Sequence, residues 1–104
     1  MTTYEEVAKK FEITVDQAHQ LKNAMETTWD MIGWDFVSCF PGGEAEAYEV
    51  YGSESAMVAE ATIAADRINS CNPGVDLDWV SKMPDGSFRG SAIAMAEAVW
   101  EAGR

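Results

Sequence analysis

From Thr14 to Phe40 the chain reads TVDQAHQLKNAMETTWDMIGWDFVSCF, and the spacing of its apolar residues decides the fold. Ala18, Leu21, Met25, Trp29, Ile32, Phe36 and Phe40 follow one another in steps of three or four. That is the period of one helix face, not the alternation of a strand. Thr14 followed by Gln17 makes a capping box, in which the hydroxyl oxygen accepts a free backbone N–H and the glutamine reaches back. The pattern predicts one long helix from about Val15 to Cys39, with Gly33 the place for a kink, ended by Pro41, Gly42 and Gly43.

Working outward, Thr3 and Glu6 form a similar box before Tyr4, Val7, Ala8 and Phe11, which predicts a short first helix. Downstream, Glu44 to Tyr51 reads as a short helix with Gly52 as its weak point. Ser53 or Ser55 caps a further helix carrying the alanine-rich stripe Met57, Ala61, Ala65 and Ile68, narrow enough for close approach of a neighbour or a second copy. Asn69 to Gly74 reads as a turn. Asp76 then caps a short helix to about Lys82 that buries Leu77 or Val80, and Trp79. After the turn at Pro84, Asp85 and Gly86, a last helix runs from Ser87 or Ser91 to Ala102. Phe88, Ala92, Met95, Ala96, Val99 and Trp100 lie on one of its sides, Glu97 and Glu101 on the other. With strand signals nearly absent, the expectation is an all-α chain: a small irregular helical bundle of four to five helices around the long one, forming a single domain over residues 1–104.

The 104 residues are 47% apolar, too rich in core-forming side chains for a wholly disordered chain. No apolar run approaches the roughly 20 residues that span a bilayer, and Glu5 and Glu6 stand where a signal peptide carries bases, so a cytoplasmic location and no membrane partner are expected. Cys39 and Cys71 lack CxxC spacing and read as reduced, buried structural thiols. His19 reads as a solvated surface histidine. Asp76, Asp78 and Asp85 lack the EF-hand series, and Gly42 and Gly43 lead into Glu44 and Glu46, which would repel a phosphate. No catalytic, cofactor-binding or metal-ligating residue stands out, and the chain is read as a non-enzyme.

Ala8 in the first helix, Ile13 at the corner, and Ala18 and Leu21 in the second helix have a spacing that resembles the helix-turn-helix of DNA-binding modules. The resemblance covers about a fifth of the chain and implies a regulator whose second helix presents Asp16, Gln17, His19, Gln20 and Asn23 to duplex DNA. Two features depart from that pattern. Glu12 holds the turn position where glycine is usual, and Lys22 is the helix's only base for phosphate contacts.

The charge distribution points elsewhere. There are 18 acidic against 7 basic residues, a net charge of −11. Between Lys22 and Arg67 lie 44 residues with no Lys or Arg and nine carboxylates: Glu26, Asp30, Asp35, Glu44, Glu46, Glu49, Glu54, Glu60 and Asp66. Such charge repels nucleic acid and anionic lipid and selects basic partners. Glu26 and Asp30, one turn apart, are separated by about 6 Å along the helix, comparable to successive phosphates on a strand. Trp34 falls off the apolar stripe beside them, where an exposed indole can anchor a partner. Ordinary packing against the following helix is the other reading of Trp34, and Tyr48 and Tyr51 carry the same two readings, with core packing preferred. Two explanations compete: solubility alone, or an inhibitor of the phage or mobile-element kind that mimics nucleic acid and occupies the basic groove of a nucleic-acid-handling protein. In the second, Glu26, Asp30, Trp34, Asp35, Glu44, Glu46, Glu49, Glu54 and Glu60 form the partner-binding surface, with no direct contact to nucleic acid.

Overall fold

In the computed structural model, which describes residues 3–69, 77–81 and 92–103, six helical segments and no strand are present among the described residues. They are α1 (Tyr4–Phe11), α2 (Val15–Ser38), α3 (Gly43–Tyr51), α4 (Glu54–Asn69), α5 (Asp78–Ser81) and α6 (Ala92–Ala102). Five have eight residues or more, and α5 is a single turn. At 1.5 Å per residue α2 is about 36 Å long, nearly the full 39 Å of the longest dimension.

Local chemistry sets most of the helix ends. Thr3 Oγ1 accepts the Glu6 N–H at 3.2 Å. Thr14 Oγ1 accepts the Gln17 N–H at 3.0 Å while the Thr14 N–H donates to Gln17 Oε1 at 2.8 Å, a complete capping box worth about 1 kcal/mol. Between them the chain turns at Glu12, which has φ 60° and ψ 43°, a left-handed conformation that costs a non-glycine residue about 1 kcal/mol. Gly52 ends α3 at φ 85°, where glycine carries no such cost. Of the two candidate caps for α4, Ser53 takes the role by accepting the Ala56 N–H at 3.1 Å, and Ser55 is buried. Asn69, expected to open a turn, is instead the last residue of α4; the rest of that turn to Gly74, the cap at Asp76, the second thiol Cys71 and the turn at 84–86 lie outside the described residues.

Two cores are strung along α2. The larger gathers Val7 and Phe11 of α1, Leu21 and Met25 of α2, Val58 and Ile63 of α4, Val80 of α5, and Met95 and Val99 of α6. The smaller holds Val37, Ala47 and Met57, ringed by Trp29, Phe36, Phe40 and Tyr51. Because each residue turns the helix by about 100°, the buried side of α2 swings from Leu21, Met25 and Thr28 to Gly33 and Val37 as it passes from one core to the other. α2 runs through Gly33 unbroken. The glycine is there for room, since a Cβ at this position would lie 2.9 Å from the Trp29 ring.

α4, not only α2, is central. It contacts α2, α3, α5 and α6, and Met57, Val58, Ala59, Ala61, Thr62, Ile63 and Ala65 are all buried. Small side chains on α4 and on α6, where Ala92 and Ala96 are fully covered, let these two helices pack closely. The described part of the alanine-rich face is thus consumed within the chain and is not left open for a second copy. Leu77 and Val80 are both buried, with Trp79 half-buried beside them.

Candidate functional site

Among the described residues the exposed large hydrophobic side chains are Met31, Trp34, Tyr48 and Val50, with Trp34 the most open of them at 81%. Trp34 and Tyr48 belong to different helices yet border the same open hollow of about 230 Å³. Its floor is Gly33, Val37 and Met57 with the ring of Trp29, and two carboxylates, Glu44 at the start of α3 and Glu54 at the start of α4, complete the rim. This convergence depends on the break at Pro41 to Gly43, which turns α3 back so that the small core forms beneath Trp34. Glu54 is held from behind, its Oε1 accepting the Trp100 indole N–H at 3.3 Å.

The nine sequence-predicted positions separate into groups. Trp34, Glu44 and Glu54 share the hollow. Asp30 is exposed one turn before Trp34 on the same stripe of α2. Glu26, a further turn back, forms an ion pair with Lys22, whose ammonium lies over the Trp100 ring at 4.8 Å from its centroid. Glu46 accepts the Gly42 N–H at 2.5 Å and so serves the start of α3. Glu60, half-buried on α4, is close enough to Tyr51 to help burial push the Tyr51 phenol above its ordinary range. Asp35 and Glu49 are exposed, but each steps about 100° around its helix from Trp34 and Tyr48 respectively and looks away from the hollow. The carboxylates therefore do not make one continuous face.

Two aromatic and thiol expectations change. Tyr51 packs in the smaller core as expected, with its ring 5.7 Å from Phe36 and 6.1 Å from Phe40. Tyr48 is instead 48% exposed, because Ala47 and Tyr51 take the inward side of the short α3. Cys39 is exposed, not buried: it caps the end of α2, beyond the buried position Val37, and its thiol donates to the Asp35 carbonyl at 3.3 Å. His19 is exposed as expected and lies against Tyr4, with ring centroids 4.2 Å apart.

No family model, curated protein or solved structure matches this chain. Among the described residues no three His, Cys, Asp or Glu gather as a metal site would need, and no helix is long and apolar enough to cross a membrane.

A second cavity, of about 490 Å³, lies between α1 and α6, whose residues are far apart in sequence and share no local pattern. Glu6, Lys10, Glu97 and Glu101 border it over an apolar floor that includes Phe11 and Ala98. Burial, and then the neighbouring Glu101 carboxylate, push the Glu97 carboxyl above its ordinary range. A carboxyl whose folded pKa is raised binds its proton more tightly in the folded state, so charged Glu97 opposes folding at neutral pH. That opposition fades as pH falls through the folded value toward the unfolded one, about 4.3. Glu97→Gln is thus expected to raise the melting temperature at pH 7, with the gain shrinking to nothing near pH 4. Thermal melts across that range check it, and a gain independent of pH would contradict it.

Proposed function

We propose that this chain is a non-catalytic binding protein. It seats the Trp34 hollow against a positively charged site on a protein partner, of the kind that nucleic-acid-handling proteins expose, and so occupies that site. The observation that carries the reading is Trp34, an indole 81% exposed at the lip of a hollow whose rim holds Glu44 and Glu54. Indoles are favoured anchors at interfaces, where their area is covered without much loss of side-chain freedom. Carboxylates around the anchor select a cationic cover and speed its approach, while a net charge of −11 turns nucleic acid away. Solubility alone accounts for Asp35 and Glu49, which stand apart from any hollow. It gives no reason for so exposed an indole as Trp34 to sit among carboxylates.

Glu12 takes at the corner the left-handed conformation that the turn glycine of a helix-turn-helix would take, but that reading lacks phosphate contacts, since Gln17 is used in the capping box and Lys22, the sole base of α2, is engaged by Glu26 and Trp100. Mimicry of a regular phosphate strand is also weakened, because Glu26 is neutralised by Lys22. What is supported is a compact patch of Asp30, Trp34, Glu44, Tyr48 and Glu54. Reversing the exposed Asp30 and Glu44 together to lysine is expected to lower retention of basic protein from cell extract at least about tenfold and to flatten its dependence on salt. Equal retention by the variant and the natural chain at low salt would rule the reading out.

A further inference from the structure

The hollow beside Trp34 has the make-up of a pocket for one cationic side chain. Three aromatic rings border it, Trp29, Trp34 and Tyr48, together with the carboxylates of Glu44 and Glu54. Ring faces attract a cation within about 6 Å of the centroid, and carboxylates supply hydrogen-bond acceptors and charge. At about 230 Å³ the space is several times the ~30 Å³ share of one water, so it has room for a side chain.

The walls are supported from behind. Trp29 lies on Gly33 where any larger residue would collide, and meets Phe36 edge-on with centroids 6.1 Å apart. Glu54 is fixed by the Trp100 indole N–H. The molecule also uses this chemistry internally: the Lys22 ammonium is embraced by the Trp100 ring on one side and the Glu26 carboxylate on another.

We infer that the hollow receives a single arginine side chain of the partner, its guanidinium stacked among the rings of Trp34 and Tyr48 and donating to Glu44 and Glu54. The inference rests on the docking reading above and names the group that enters. Arginine suits the site better than lysine. Its plane stacks on aromatic faces, its fork of donors reaches acceptors on two different helices at once, and it gives up its hydration more easily than an ammonium.

The probe is N-acetyl-arginine amide, titrated into the intact chain while the indole N–H signals of Trp29 and Trp34 are followed by NMR. N-acetyl-citrulline amide, the neutral near-isostere, and N-acetyl-lysine amide serve as comparisons. The expected result is saturable movement of both indole signals with a millimolar dissociation constant, as befits so small a ligand. Citrulline should bind at least about tenfold more weakly and lysine measurably more weakly than arginine. Glu44→Gln and Tyr48→Ala, both at exposed positions, should each weaken arginine several-fold without changing the helical circular dichroism. Citrulline or lysine binding as tightly as arginine, movement confined to signals away from both indoles, or no saturable movement would overturn the assignment. If basic protein is still retained in an Asp30- and Glu44-dependent way while arginine amide fails, the pocket is wrong and the docking reading stands. Arginine amide binding without such retention sinks the docking reading instead.

Discussion

Replacing Trp34 with alanine is expected to weaken the chain's hold on its basic partner roughly a hundredfold while leaving its stability almost unchanged. The size of the first effect follows from what an indole does at the centre of an interface. Truncating such an anchor costs about 2–4 kcal/mol, and about 1.4 kcal/mol is a factor of ten in affinity. The smallness of the second follows from exposure. With 81% of the side chain in solvent, little packing is lost in the free protein, and surface changes of this kind stay within about 0.5 kcal/mol. Binding by calorimetry and unfolding in urea, done on the same preparation, separate the two. A variant that binds as well as the natural chain would show that the indole is a bystander and that the charged rim acts without it. One that melts markedly lower would show that Trp34 has a structural duty its exposure conceals.

Leu21→Ala should do the reverse. Leu21 is wholly buried in the larger core, where α1, α2, α4 and α6 meet. Removing its branched end deletes contacts that the surrounding helices cannot fully re-form, a loss of about 2–5 kcal/mol from a total of roughly 5–15 kcal/mol for a domain of this size. In urea the midpoint should fall with an unchanged slope, and the melting temperature should drop by at least about 8 °C. A loss under about 1 kcal/mol would mean that the four helices do not converge on this residue as described.

What could be read from the residues was what neighbouring residues settle among themselves. Thr3, Thr14 and Gly52 mark helix ends because their partners lie within four positions, and the stripe from Ala18 to Phe36 is one helix because its period holds throughout. Trp34 could be separated from that stripe for the same reason. Tyr48 and Tyr51 could not be told apart, because three residues along a short helix is nearly one full turn. Which of them is covered depends on where Met57 and Val37 arrive from elsewhere. The pairing of Glu26 with Lys22 is local, four positions apart on one helix, but it straddles the edge of the base-free stretch, so counting charge within that stretch hides it. Glu54 with Trp100, 46 positions apart, and Glu6 with Glu97 and Glu101 across the α1–α6 cavity belong to tertiary packing that no local spacing encodes. α4 did carry an unused signal. From Ser55 to Ala65 its only charged residue is Glu60, and a helix so uniformly apolar is one enclosed on most sides.

The unequal cores divide the molecule into cooperative units of unequal strength. Three buried residues hold α3 against the end of α2 and the start of α4, whereas α1, α5, α6 and most of α4 share a far larger buried set. Segments with few buried contacts open at lower free energy than the body they belong to. Tyr48 and Glu44, the two groups of the hollow that α3 carries, therefore ride on the more lightly held of the two units, while Trp29, Trp34 and Glu54 stand on the longer helices. A bound guest would do two things at once: fill the hollow and tie α3 to α2 and α4, so its arrival should be felt by α3 amide protons that never touch it.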